Sequence, residues 1–178
     1  MIVSKPNFFV FTGGGGTGKT TLIRHLQTVG ELAIDENIRA VIREQVEAGG
    51  SALPWIDAKA CCDLTTERDI VDFDRLAAET RRVFFDRGLM DMYGANGVPP
   101  SPALAEAIRT RRYNARVFVF PPWREIYATD GERWEDWSRM EAVFEQILTT
   151  LPALGYEPAV VPKGTVEERA AWVLARAV

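Results

Sequence analysis

The sequence predicts a three-layer α/β/α sandwich built on a five-stranded parallel sheet. Two observations carry that prediction. Five short, continuously apolar runs alternate with stretches of helical periodicity, the pattern of strands covered on both faces. The first run leads into Gly13-Gly14-Gly15-Gly16-Thr17-Gly18-Lys19-Thr20, which fits G-x-x-x-x-G-K-[ST], a strand-to-helix loop that wraps the phosphates of a nucleoside triphosphate.

Phe8-Phe9-Val10-Phe11 is the first strand, and Leu22, Ile23, Leu26 and Val29 give the first helix its apolar face before Gly30 stops it. Leu32-Ala33-Ile34 is a second strand, followed by a helix with Ile38, Ile42 and Val46 on one face and Val41 alongside. A long helical stretch from about Asp57 to Glu79 leads to the third strand, Val83-Phe84-Phe85, closed by Asp86-Arg87-Gly88. Ser101 and Pro102 start another helix as N-cap and first helical residue, with Leu104 and Ile108 inward. Val117-Phe118-Val119-Phe120 is the fourth strand. A helix with Trp137, Met140, Phe144, Ile147 and Leu151 follows, then the fifth strand, Ala159-Val160-Val161. Thr165-Val166-Glu167-Glu168 is a capping box opening a last helix with Val166, Ala170, Val173 and Ala177 inward.

The 178 residues, 47% hydrophobic and 26% charged, suit one globular domain over 1–178. A formal charge of −4 argues against a general nucleic-acid binder. No apolar run reaches the length of a membrane span, and the N-terminus carries no secretory cleavage pattern, so the expected compartment is the cytoplasm. Cys61 and Cys62 are adjacent and read as small core residues, and His25 stands alone, with no metal set around it. Oligomeric state is not legible.

In the glycine loop, successive N–H groups and the helix start receive the phosphates. Gly13, Gly14, Gly15, Gly16, Thr17, Gly18, Lys19, Thr20 and Thr21 are therefore the nucleotide-binding set; Lys19 bridges the outer phosphates and the Thr20 hydroxyl ligates Mg²⁺. Parallel sheets bind ligands at the C-terminal strand ends, which gathers this loop with Glu36, Asp86, Pro121 and Pro162. Asp86 then either holds Mg²⁺ or takes a proton from an acceptor hydroxyl; its bland alternative is a turn aspartate. Arg87 clamps a substrate anion or pairs with Asp91. Glu36 and Arg39 meet the acceptor, or merely serve a helix start. The segment from Pro121 to Trp134 reads as a lid whose Arg124 and Arg133 neutralise charge on the phosphoryl group. Lys163, after the fifth strand, rims the nucleotide base. Trp55, Tyr93 and Tyr113 are candidates for stacking an aromatic acceptor, or are core. No Asn-Lys-x-Asp guanine signature occurs, which favours ATP over GTP.

The combination of Phe8-Val10-Thr12 with the loop to Thr20, Ile42-Arg43-Glu44-Gln45, Phe85-Asp86-Arg87-Gly88, Arg112-Tyr113-Asn114, Pro121-Pro122-Trp123, Ile126-Tyr127 and Asp130-Gly131-Glu132-Arg133 resembles the AAA-domain family of predicted bacterial P-loop ATPases. That family is similar to the nicotinamide-riboside kinase domain of the NAD regulator. The resemblance implies a P-loop NTPase fold with kinase-type strand order 2-3-1-4-5, Mg-ATP, and a lid near Arg124 to Arg133. The expected function is transfer of the γ-phosphoryl group to a small, nucleoside- or riboside-like acceptor, or ATP hydrolysis. The alternative is a nucleotide-dependent switch that acts on a partner; one eukaryotic relative is described as binding GTP and phosphoinositide.

Overall fold

A computed structural model describes residues 1–126 and 137–178, with only the backbone of Ser138. In chain order the elements are β1 (Phe8–Gly13), α1 (Lys19–Thr28), β2 (Leu32–Ile34), α2 (Asn37–Ala48), α3 (Ala58–Arg75), β3 (Val83–Asp86), α4 (Pro102–Thr110), β4 (Arg116–Phe120), α5 (Trp137–Ala153), β5 (Glu157–Val160) and α6 (Val166–Leu174). They fall into two compact units. One comprises Pro6–Asp35, Arg81–Asp86 and Tyr113–Val178; the other comprises Met1–Lys5, Glu36–Thr80 and Arg87–Arg112.

The first unit holds the sheet. Its five strands are parallel, in the order β2-β3-β1-β4-β5, with Phe11 opposite Asp86 on one side and Gly13 opposite Phe120 on the other. The expected order is the one observed. Both faces of β1 are buried: Phe8, Phe9, Val10 and Phe11 are all at most 1% exposed, which is why the strand reads as an unbroken apolar run. Phe9, Phe11, Phe84, Phe118 and Phe120 share a cluster with Leu22, Ile23 and Leu26 of α1 and Ala170 and Val173 of α6. Phe11 meets Phe118 edge-on at 5.7 Å and Phe120 at 5.1 Å, ring geometry that adds to their burial.

The second unit is helical. Val41 and Ile42 of α2 close on Leu53 and Cys61, with Ile38 and Leu64 beside them. The Asp57 side chain caps α3 by accepting from the Ala60 N–H, and Ser101 does the same for Leu104 at the start of α4. Cys61 and Cys62 are buried, free thiols, and burial pushes Cys61 up to about 11, so it behaves as a core residue. The short strands Val3–Ser4 and Arg111–Arg112 pair in parallel.

Several sequence expectations move. Val29 is 56% exposed because α1 has ended at Thr28 and Gly30, at φ 91°, has turned the chain. Val46 is 58% exposed: its spacing is right, but it lies a turn beyond the apolar cluster of α2. The third helix stops at Arg75, short of Glu79, and β5 spans Glu157–Val160, leaving Val161 buried just past its end.

Candidate functional site

Three backbone facts shape the glycine loop. Gly13 ends β1 at φ 139°, and a Cβ there would lie 2.5 Å from the Phe120 carbonyl oxygen of β4. A Cβ on Gly14 would sit 2.8 Å from the Met140 sulfur. Gly18 leads into α1 at φ 82°, the left-handed region that side chains disfavour. The loop therefore lies flush against β4 and α5, and at Gly13, where the neighbour is backbone, only glycine permits that approach.

Lys19 is 6% exposed and folded back over the loop. Its Nζ donates to the carbonyl oxygens of Gly13 at 2.9 Å and Gly14 at 2.7 Å, and to Thr17 Oγ1 at 3.3 Å. Thr17 Oγ1 in turn donates to the Gly14 carbonyl at 3.1 Å. At the end of β3, Asp86 is 2% exposed and its Oδ2 accepts from Thr20 Oγ1 at 2.8 Å. The β1–β3 register brings these two residues together from positions 66 apart in sequence. A hydroxyl beside a carboxylate is a pair of hard oxygen donors, the type Mg²⁺ accepts, so Thr20 and Asp86 fit that ion. Thr21 is exposed on α1, and Gly15 and Gly16 complete the bend.

The other expected residues are placed as follows. Lys163 is exposed and lies 3.9 Å from Glu125 Oε2. Arg124, in a short 3-10 turn, has its Cζ 5.8 Å from the Trp137 ring centre. Arg133, and most of the segment read as a lid, lie outside the described residues. Tyr113 is 4% exposed and meets Phe85 edge-on at 5.4 Å, so it is core; Trp55 and Tyr93 are 49% and 39% exposed.

In the helical unit, Glu36, Arg39, Arg87 and Asp91 form one ionic chain. Glu36 accepts from Arg39 Nε at 2.8 Å and from Arg87 Nε at 2.5 Å. Arg87 Nη1 donates to Asp91 Oδ1 at 3.1 Å, while Asp91 Oδ2 takes the Gly88 N–H at 3.0 Å. Arg87 adopts φ 72°, a strained conformation for a bulky residue, of order 1–3 kcal/mol, held by the grip of its guanidinium on two acids.

Sequence reading missed two acid-site neighbours and one cation. Asp69, 7% exposed on α3, has its Oδ1 bound by Asn37 Nδ2 at 2.9 Å; the same amide reaches Asp72 Oδ2 at 2.8 Å. Burial pushes Asp69 up to about 7; the Asn37 bond lowers it, and Asp91, Asp72 and Glu36 raise it further. Its signal was available: Thr65, Asp69 and Phe73 recur at helical spacing on the buried face. Arg169 of α6 is 5% exposed, on the face shared by Ala170 and Val173.

A parallel sheet in this order, with a phosphate-type glycine loop after its central strand, defines a P-loop protein of the kind seen in small kinases. The chain belongs to the AAA domain family, whose model matches residues 8–169. Among solved structures it is similar to NadR protein in complex with NR (TM-score 0.69, 17% identity, 98% of this chain and 52% of that one), so it spans about half of that protein. It is also similar to deoxyadenosine kinase from M. mycoides with products dCMP and a flexible dCDP bound (TM-score 0.62, 14% identity, 95% and 97%). A third is shikimate kinase from Acinetobacter baumannii in complex with shikimate (TM-score 0.57, 16% identity, 98% and 93%). At these identities the likeness is one of fold. No curated protein matches the sequence.

Proposed function

We propose that this chain is a Mg-ATP-dependent phosphotransferase whose acceptor is a small molecule with a hydroxyl group. The observation that carries the reading is the Thr20–Asp86 bond of 2.8 Å beside Lys19, at the end of a loop where Gly13 abuts the β4 backbone and Gly18 takes a positive φ. Bound Mg²⁺ would be held by Thr20 and Asp86 and would neutralise charge on the outer phosphates. Lys19 exchanges its loop carbonyls for phosphate oxygens. Arg87 and Arg39 hold polar or anionic groups of the acceptor, with Asp91 fixing Arg87. Glu36 accepts the proton of the acceptor hydroxyl as its oxygen bonds to the γ-phosphorus; the bond from that phosphorus to the bridging oxygen breaks and ADP leaves. We assign Arg124 to the charge developing on the transferred group. The fold neighbours named as kinases support the class, and their own ligands do not fix the acceptor here.

The test is a screen of nucleosides, ribosides and small hydroxy acids with ATP and magnesium. ADP formed in equal amount to a phosphorylated acceptor supports the reading. Slow ATP hydrolysis independent of every acceptor points instead to a nucleotide switch.

A further inference from the structure

Arg169 is a buried cation that nothing in the phosphotransferase reading uses. Its guanidinium lies behind the glycine loop: Nη1 donates to the Thr17 carbonyl at 3.3 Å. A Cβ on Gly18 would meet Nη1 at 2.7 Å and Nη2 at 2.9 Å, so the guanidinium packs directly against this glycine, whose positive φ is what disfavours a side chain. The group is held between rings, with Cζ 5.9 Å from the Phe120 centre and 5.4 Å from that of Trp123. Its Nε has no hydrogen-bond partner, and among the described residues no carboxylate pairs with it. Burial pulls its pKa below the usual arginine value.

A charge withdrawn from water with no counter-ion among the described residues is unfavourable unless a ligand supplies the opposite charge. The loop carbonyls are shared by two cations. Lys19 lies on those of Gly13 and Gly14 and must leave them to reach a phosphate. Arg169 lies on that of Thr17 and is fixed by the flanking rings, so it has no need to move. One cation is exchangeable and the other is permanent.

We propose that Arg169 is a positioning residue for the nucleotide loop: it braces the outer wall through the Thr17 carbonyl and supplies a fixed positive charge that the bound triphosphate neutralises. The inference rests on reading that loop as a phosphate cradle. A charge at roughly 10 Å in protein surroundings is enough to alter affinity about tenfold.

The experiment compares the parent, Arg169→Met and Arg169→Lys by calorimetric titration with Mg-ATP, by thermal melting without nucleotide, and by steady-state kinetics. Arg169→Met is expected to melt at or above the parent temperature, because an uncompensated buried charge is gone. It should nevertheless bind Mg-ATP about tenfold more weakly and raise KM for ATP by the same factor, with kcat at saturating ATP changed less than about threefold. Arg169→Lys, which keeps the charge and loses the planar fork, should fall between the two. Parent-like affinity in Arg169→Met overturns the proposal, whatever happens to the melting temperature. Should that variant fail to fold, Arg169→Gln, which also removes the charge, decides: a parent-like KM for ATP overturns the proposal, and a raised one supports it. If the parent itself binds no Mg-ATP, the phosphate-cradle reading fails first, and the two failures are thereby told apart.

Discussion

The glycine loop and the acidic chain of the helical unit hold their charged groups by different means. In the loop, Lys19 and Arg169 rest on backbone carbonyls, and Asp86 at the end of β3 accepts from the Thr20 hydroxyl. In the helical unit, side chain grips side chain: Glu36, Arg39, Arg87 and Asp91 are bound to one another, and Asp69 and Asp72 share the amide of Asn37. Lys19 can exchange its carbonyls for an incoming anion, whereas Arg169 keeps the one it holds. Cations already paired with acids must exchange one partner for another, so they select by geometry as well as by charge.

That contrast breaks or sharpens under substitution. The largest effect is expected for Lys19→Ala, which should lower kcat/KM about 10³–10⁴-fold, since a cation on the transferred phosphoryl group is worth that order; parent-like turnover in a coupled ADP assay would remove the catalytic assignment of the loop. Next is Asp69→Asn. Asp69 titrates near 7 when folded against 3.8 for the free group, so the folded state binds its proton more tightly. The stability it contributes is complete below about pH 4 and is lost as pH rises through 7, on the order of 4 kcal/mol once ionised. Urea titrations from pH 4 to 8 should show the parent losing that amount relative to Asp69→Asn; parallel curves would mean the carboxyl is already ionised in the fold.

Asp86→Asn should lower kcat about 10²-fold while leaving ATP affinity within a few-fold, separable by single-turnover kinetics and titration. If affinity falls as far as turnover, Asp86 serves binding rather than chemistry. The smallest effect is expected for Arg87→Gln, which should raise KM for the acceptor about tenfold and leave KM for ATP alone. A change in the ATP term instead would place Arg87 with the nucleotide, and the distinction between the two charge arrangements would lose its functional meaning.

The same distinction explains what was legible in the letters. Loop chemistry is largely local: Gly13 to Thr20 are contiguous and Lys19 bonds the nearby carbonyls of Gly13 and Gly14, so spacing reveals them, while the Thr20–Asp86 and Thr17–Arg169 bonds reach across the chain. The strands were equally readable because burial on both faces leaves 8–11, 83–85 and 117–120 as unbroken apolar runs, with Asp86 at the C-terminal end of β3. The acidic cluster brings Glu36 and Arg87 of the ionic chain near Asp69, residues the sequence scatters over three segments, and each looks like ordinary helix-start, helix-interior or turn chemistry by itself. Glu36 was picked out together with Arg39, and a pairing with Asp91 was one of two readings of Arg87; the bond from Arg87 to Glu36 that joins the two pairs was not foreseen. Arg169 escaped because a cation among Val166, Ala170 and Val173 resembles a solvated helix position unless its register on the inward face is counted.

The margins of the sheet carry one further consequence. β2 has three residues and β5 has four, and β5 places Pro158 opposite Val117. Proline offers no N–H for a further strand to bind, and brief border strands give an incoming chain few rungs to climb. A sheet so rich in phenylalanine at its centre would otherwise be an inviting template, and its borders are finished in a way that discourages neighbouring molecules from joining on.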